Sequence, residues 1–279
     1  MGAQVRGLFE LTRPGNAVAA GVLTAIGAFV ATVAPSQFPQ VGAAVGATVL
    51  AVAGGNAIND YFDRGIDRIN DPDRPIPRGA VSPRGALAFS GVLFAGAVVL
   101  AVQLPGLAIG IAAVNLLALV TYTKLFKGTP GAGNALVAYL VGSTFLFGGA
   151  AVGNPAPTVV LALLAALSNL AREVIKDVED IEGDREEGLR TLPVAVGQRR
   201  SLALAAGLLV VAAAASPVPF VRDTFGTAYL VVVAPAVVIM VLSGYRAFDD
   251  PATSQRRLKY GMFLATLSFV VGRATLVLG

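Results

Sequence analysis

The chain has 279 residues, of which 55% are hydrophobic and 14% are charged. A charged fraction this low excludes an ordinary soluble domain and indicates an integral membrane protein. Because the chain contains no cysteine and no histidine, disulfides, thiolate metal sites and imidazole catalysis are excluded. The net charge of +4 is assigned to membrane topology rather than to a nucleic-acid partner.

Uncharged stretches along the chain predict an all-α, polytopic transmembrane bundle of nine spans. A spanning helix needs about 20 residues, so two of the stretches are long enough for two spans each. Proline and glycine divide these two stretches at residues 103–106 and 154–157. The last stretch carries Arg273, which we expect to lie in the middle of the span. The stretches are 16–34, 41–59, 85–123, 128–171, 201–221, 224–245 and 261–279.

Basic residues occur in alternate connections between the predicted spans. Of the 21 lysines and arginines, 19 lie in the N-terminal segment, at Lys124 and Lys127, or within 60–84, 172–200 and 246–259. By the positive-inside rule, these segments face the cytoplasm. We therefore expect a multi-pass protein of the cell membrane with a cytoplasmic N-terminus. An odd number of spans then places the C-terminus outside.

Two acidic ladders of identical spacing interrupt the apolar pattern. The first ladder is Asp60, Asp63 and Asp67, and the second, 117 positions later, is Asp177, Asp180 and Asp184. Carboxylates spaced three and then four apart fall on one face of a helix, where they repel one another unless cations neutralise them. We interpret the ladders as two facing sites for Mg²⁺ at the cytoplasmic membrane boundary. Their offset predicts two repeated halves.

The first ladder lies in the sequence NDYFDRGID, residues 59–67, and the second in DVEDIEGD, residues 177–184. At these residues the chain resembles the UbiA-type intramembrane prenyltransferases, which carry an NDxxDxxxD motif and a second aspartate motif. Residues 70–77, 127–130 and 142–149 are most similar to the archaeal digeranylgeranylglyceryl phosphate synthases of that superfamily. The resemblance implies a single intramembrane prenyltransferase domain over residues 1–279.

The resemblance also implies a reaction. A geranylgeranyl group would pass from geranylgeranyl diphosphate to the free hydroxyl of geranylgeranylglyceryl phosphate, giving an ether-lipid precursor and diphosphate with Mg²⁺ as cofactor. The expected partners are these two substrates and the lipid bilayer, with no nucleic acid and no obligate protein partner.

The expected site residues belong to the two ladders and to polar residues near them. Asp63, Asp67, Asp180 and Asp184 are expected to be catalytic. The expected metal ligands are Asn59, Asp60, Asp63, Asp67, Asp177, Asp180 and Asp184. The expected substrate-binding residues are Arg13, Asn16, Arg74, Tyr122, Lys124, Lys127, Tyr139, Arg172 and Lys176. Arg74 and Lys127 could equally be topology anchors, and Tyr122 and Tyr139 could be residues of the membrane interface.

Two alternative functions stay open at this point. An aromatic prenyltransferase of the same superfamily, with 4-hydroxybenzoate as acceptor, would share every metal ligand and differ only in the acceptor pocket. A cation-coupled transporter would use the ladders to carry ions, but the charges cluster at one membrane face. The basic residues near the ladders exceed what one metal-bound diphosphate needs, which favours an acceptor that carries its own phosphate.

Overall fold

The computed structural model describes residues 2–122, 126 and 128–277. Within those ranges the chain forms α-helices and short 3₁₀ turns and contains no β-strand, which confirms the all-α prediction. The helices in chain order are α1 (Gly2–Leu11), α2 (Pro14–Val30), α3 (Phe38–Asn70), α4 (Pro83–Ala101), α5 (Gly106–Thr121), α6 (Ala132–Ala151), α7 (Val159–Glu179), α8 (Ile181–Glu186), α9 (Leu192–Val196), α10 (Gln198–Ala215), α11 (Val218–Val221), α12 (Thr227–Arg246) and α13 (Pro251–Val277).

The long helices occur in two sets that follow the offset between the ladders. Helices α2, α3, α4 and α5 correspond in order to α6, α7, α10 and α12, and α13 follows the second set. Each ladder stands at the C-terminal end of the second helix of its set, α3 or α7. The prediction of two repeated halves is therefore confirmed, and equivalent positions of the two halves can be compared directly.

The described residues contain seven helices that are long and apolar enough to cross a membrane. Two further apolar helices are shorter: α2 has 17 residues and α5 has 16. At 1.5 Å per residue they reach only about 25 Å, less than the hydrocarbon thickness of about 30 Å. The protein is thus a multi-pass membrane protein, while the count of nine spans stays a prediction.

Arg273 does not lie in the middle of a span, so that expectation is wrong. It lies four residues before the end of α13. There its guanidinium group donates hydrogen bonds to the carbonyl oxygen of Thr224, at 3.4 Å, and to Thr32 Oγ1. The reason is that α13 begins at Pro251, ten residues before the predicted apolar stretch. The helix is therefore longer than predicted, and Arg273 lies near its C-terminal end instead of at its middle.

Helices α2 and α6, the first of each set, pack closely enough to require glycine at their contact. A β-carbon at Gly148 would lie 2.0 Å from the carbonyl oxygen of Thr24, and one at Gly27 would lie 2.2 Å from that of Phe145. Such distances are far below van der Waals contact, so only a residue without a side chain fits. Close backbone approach through small residues is typical of helix contacts in membranes.

The short helix α1 ties the N-terminus to the segment that follows the first ladder. Leu11 is fully buried and packs in a cluster with Ile76 and Val81. Glu10 accepts hydrogen bonds from Arg78, at 2.5 Å, and from Arg6, at 2.9 Å, and these bonds lower the pKa of the Glu10 carboxyl. The segment that follows the first ladder is therefore held against α1 by apolar packing and by an ion pair.

Candidate active site

The first ladder lies on a continuous helix, as predicted, and two of its three carboxylates are buried in ion pairs. Asp60 is 4% exposed, and its Oδ1 lies 2.5 Å from Arg13 Nη2 and 3.6 Å from Arg74 Nη1. Asp67 is 5% exposed, and both of its oxygens accept hydrogen bonds from Arg74 Nη1 at 2.9 Å. Because buried carboxylates need opposite charges, Arg13 and Arg74 balance this cluster.

The second ladder does not lie on one helix, which corrects the prediction for that half. Helix α7 ends at Glu179, and Asp180 has a ψ of 3°, outside the range of a regular helix. Asp177 belongs to the last turns of α7, whereas Asp184 belongs to α8. The change of direction at Asp180 turns Asp184 toward the following segment, where Thr191 Oγ1 donates a hydrogen bond to its Oδ2 at 2.8 Å.

The two halves hold the last aspartate of each ladder in the same way. Asp67 is bound by the residue seven positions later, Arg74, and Asp184 is bound by the residue seven positions later, Thr191. One anchor is a charged guanidinium group and the other a neutral hydroxyl. Burial raises the pKa of Asp184, and the hydrogen bond from Thr191 opposes that rise. Among the described residues, the hydrogen bond that holds Asp184 therefore adds no positive charge, unlike the one that holds Asp67.

Two contacts show that the ladders face a common space. Asn70 Nδ2 at the end of α3 donates a hydrogen bond to Glu187 Oε1, just after α8, at 2.7 Å. Burial, followed by the negative charges of Glu173, Asp177 and Asp63, raises the pKa of Tyr122. The Tyr122 phenol thus lies within electrostatic reach of a carboxylate from each ladder.

The donor chemistry of this space suits Mg²⁺, although no protein cage surrounds a metal position. Among the described residues, no three acidic side chains lie close enough together to hold a metal ion. Mg²⁺ prefers oxygen ligands and in phosphate-transfer sites uses one or two carboxylates together with phosphate oxygens of the substrate. Carboxylate oxygens of this kind are offered by Asp63 from the first ladder and Asp177 from the second. Asp177 Oδ2 also accepts a hydrogen bond from Asn134 Nδ2 at 2.8 Å. The residues present therefore fit the cofactor.

A large apolar cavity of about 520 Å³ lies between α2, α6, α7, α10, α12 and α13, and its lining residue Arg172 stands five positions before Asp177 on α7. Its walls are made mostly of leucine, valine, alanine, phenylalanine and methionine. Its polar lining residues include Asn169, at the middle of α7, and Asn16, Arg172 and Lys259, which lie in the ladder-side half of their helices. Its far end is closed by Tyr229, whose hydroxyl donates a hydrogen bond to the carbonyl oxygen of Ser216 at 2.6 Å. A cavity of this shape suits a hydrocarbon chain with a polar head.

The structure distributes the predicted substrate-binding residues over several environments. Asn16 and Arg172 line the cavity. Arg13 and Arg74 contact the first ladder, and Lys176 Nζ lies 4.0 Å from Asp180 Oδ2. Tyr122 lies within electrostatic reach of Asp177 and Asp63, whereas Tyr139 is 38% exposed on α6, as expected for a residue facing lipid. Lys124 and Lys127 lie outside the described residues. Asn59 and Asp63 each interact with at least one other group.

Four polar residues of the site were missed by the reading of the sequence. Asn134 binds Asp177, Thr191 binds Asp184, and Asn169 and Lys259 line the cavity. Asn134 and Asn169 carried a usable signal, because each is an isolated amide inside an apolar stretch, where polar groups are costly. Nothing in the local sequence distinguishes Thr191 or Lys259 from ordinary residues at the membrane boundary.

Comparison with known proteins agrees with this geometry. The model of the UbiA prenyltransferase family matches residues 20–267. The digeranylgeranylglyceryl phosphate synthases of Halobacterium salinarum R1 and Natronomonas pharaonis are 66% and 63% identical to the chain. The first match covers 96% of this chain and 97% of the relative, and the second covers 98% and 99%.

Two solved structures share the fold. A structure described as digeranylgeranylglyceryl phosphate synthase in membranes superposes with a TM-score of 0.86 at 34% identity, covering 97% of this chain and 98% of that one. A UbiA homologue from Archaeoglobus fulgidus, bound to GPP and Mg²⁺, superposes with a TM-score of 0.77 at 18% identity, covering 96% and 98%. At that identity the second comparison concerns the fold alone.

Proposed function

Because the chain belongs to the UbiA prenyltransferase family, we propose that it transfers a geranylgeranyl group from geranylgeranyl diphosphate to the free hydroxyl of geranylgeranylglyceryl phosphate. The observation that carries the proposal is the position of both ladders beside the polar end of a long apolar cavity. The names of relatives that are 66% and 63% identical over nearly the whole chain support the choice of substrates.

The diphosphate of the donor belongs at the ladders. Asn59, Asp60, Asp63 and Asp67 from α3 and Asp177, Asp180 and Asp184 from the second ladder are the residues that would hold Mg²⁺ there. When bound, Mg²⁺ neutralises the negative charge that develops on the leaving diphosphate. Arg74 and Lys176, each paired with a ladder carboxylate, are the cations best placed to contact diphosphate oxygens as well.

In the reaction, the bond between the first carbon of the prenyl chain and the diphosphate oxygen breaks, and the electron pair leaves with the diphosphate. The hydroxyl oxygen of the acceptor forms the new bond to that carbon, and its proton is released. The apolar walls of the cavity keep water from the allylic cation, which water would otherwise capture. Asp63, Asp67, Asp180 and Asp184 are the proposed catalytic residues, because they would hold the metal that neutralises the leaving group.

We also propose that the ladders face the cytoplasm. The support is the charge distribution: 19 of the 21 basic residues belong to segments on the ladder side of the predicted topology. The chain contains no cysteine, so single cysteines can report accessibility. We expect cysteines at Gln37 and Asn154 to react with a membrane-impermeant thiol reagent from outside intact cells, and cysteines at Gly79 and Gly188 to stay unlabelled. The reverse pattern would contradict the orientation.

A direct assay separates the proposed function from its alternatives. Purified protein is supplied with geranylgeranyl diphosphate and either geranylgeranylglyceryl phosphate or 4-hydroxybenzoate, with Mg²⁺ or with a chelator, and diphosphate release and prenylated product are measured. We expect metal-dependent product only with the lipid phosphate. Efficient prenylation of 4-hydroxybenzoate with no turnover of the lipid phosphate would refute the acceptor. Absence of diphosphate release with both acceptors would refute the activity.

A further inference from the structure

The polar end of the cavity contains buried hydrogen-bond donors that have no partner. Asn169 is 6% exposed, and its Nδ2 makes no hydrogen bond with any described residue. Arg172 lies about one helical turn further along α7, and its Nε is also buried without a partner. Both side chains line the cavity. Because buried donors are almost always satisfied, two unsatisfied donors at one end of a large cavity indicate a ligand that accepts hydrogen bonds there.

The charges around these donors define the chemical class of that ligand. Arg172 is held in place by Glu173, whose Oε1 accepts from Nη1 at 2.7 Å, and by Gln255, whose Oε1 accepts from Nη2 at 3.4 Å. Its third nitrogen, Nε, has no hydrogen-bond partner among the described residues. Lys259 adds a second cation from α13, and none of the described residues that line the cavity is acidic. Although Glu173 pairs with Arg172, the described lining residues themselves offer hydrogen-bond donors and the Lys259 cation without a carboxylate, a combination that suits an oxyanion.

We propose that Asn169, Arg172 and Lys259 bind the phosphate monoester of the acceptor and so determine the preference for a phosphorylated acceptor; this inference rests on the proposed function. The acceptor chain would occupy the apolar part of the cavity below this donor cluster. Its glycerol hydroxyl would then point toward the ladders, because Arg172 and Asp177 belong to the same end of α7.

The same oxyanion chemistry is offered by the diphosphate of the donor substrate, but the donor cluster suits the acceptor better. The ladders already provide the carboxylates that a metal-bound diphosphate needs. The cavity, by contrast, has no carboxylate to hold such a metal among its described lining residues. A phosphate monoester needs only hydrogen-bond donors and cations, which are the groups present.

The test compares geranylgeranylglyceryl phosphate with the corresponding alcohol that lacks phosphate. For wild-type protein and for the variants Asn169→Leu and Lys259→Gln, kcat/KM is measured with each acceptor, and KM is measured for geranylgeranyl diphosphate. We expect the preference for the phosphorylated acceptor to fall about tenfold in each variant, as for the loss of one hydrogen bond to a charged group. The KM for geranylgeranyl diphosphate should stay unchanged.

The variant Ser168→Ala is the matched control. Ser168 neighbours Asn169 and is equally buried, but its hydroxyl is already bonded to the carbonyl oxygen of Leu164 at 2.8 Å, so its removal should leave acceptor preference intact. Should Asn169→Leu fail to fold, Lys259→Gln at an exposed position decides the question. An unchanged preference in Lys259→Gln, or a rise in KM for the diphosphate instead, would overturn the inference while leaving the proposed function standing. A wild-type protein that ignores the lipid phosphate would overturn both.

Discussion

Asn70 and Glu187 are joined by a hydrogen bond of 2.7 Å between Nδ2 and Oε1, and they occupy equivalent positions of the two repeated halves, 117 residues apart. Each residue stands three positions after the last aspartate of its ladder. Equivalent positions can touch only close to the axis that relates the halves. The ladders therefore meet at that axis, where a ligand can contact both.

The first prediction tests this link. Asn70→Asp places a negative charge opposite Glu187, so we expect the ends of α3 and α8 to move apart and kcat to fall severalfold. Adding Glu187→Gln recreates an amide-to-carboxylate hydrogen bond with the roles exchanged and should restore most of the rate. Steady-state kinetics of the two single variants and the double variant measure this. No recovery in the double variant would mean that the link does not set the spacing of the ladders.

The second prediction concerns the metal. Asp63→Ala and Asp180→Ala should each abolish turnover at saturating Mg²⁺, because each removes a carboxylate from the diphosphate site. Their unfolding temperature in detergent should stay close to that of the wild type, since removing one charge from a cluster of like charges relieves repulsion. Asp249→Ala, at an exposed position far along the chain, is the control and should keep full activity. Near-normal turnover in either ladder variant would contradict the assignment.

The third prediction separates Asp60 from the other ladder carboxylates. Asp60→Asn removes the negatively charged carboxylate that Arg13 and Arg74 both contact. Breaking a largely buried ion pair on one side costs about 3 kcal/mol, reduced here to roughly 1–2 kcal/mol because the arginines are partly solvated. We therefore expect a clear fall in unfolding temperature. The comparison is Asp180→Asn, whose side chain is 52% exposed and should show no such fall. Equal stability of the two variants would argue against the structural role of Asp60.

The fourth prediction concerns the packing of α2 against α6. Gly148→Ala would place a methyl group 2.0 Å from the Thr24 carbonyl oxygen, which is backbone and cannot rotate away. Overpacking of this kind costs about 1–3 kcal/mol, so the unfolding temperature should fall. Gly91→Ala on α4 is the control, because no atom lies within 4 Å of its β-carbon position. That variant should be neutral or slightly stabilising, since alanine favours a helix.

The sequence by itself determined the class of the protein and the location of its chemistry. In lipid, the backbone N–H and C=O groups of an apolar stretch of spanning length must form hydrogen bonds within the stretch, as they do in a helix. The helices and the breaks at 103–106 and 154–157 were therefore predictable. The two ladders were equally visible, because carboxylates next to membrane-spanning stretches are energetically costly and therefore indicate a functional site. Their equal offset was sufficient to predict the two halves.

Only the tertiary structure decided which groups contact one another. The pairing of Asp60 with Arg13 joins residues 47 positions apart, and that of Asp177 with Asn134 joins residues 43 apart, so neither follows from local spacing. The break at Asp180 depends on one backbone angle that no helical periodicity reports. The cavity and its donor cluster are formed by six helices from both halves, and a space between helices depends on their packing angles and distances. Sequence patterns record the faces of single helices, whereas a binding site is a property of how those faces meet.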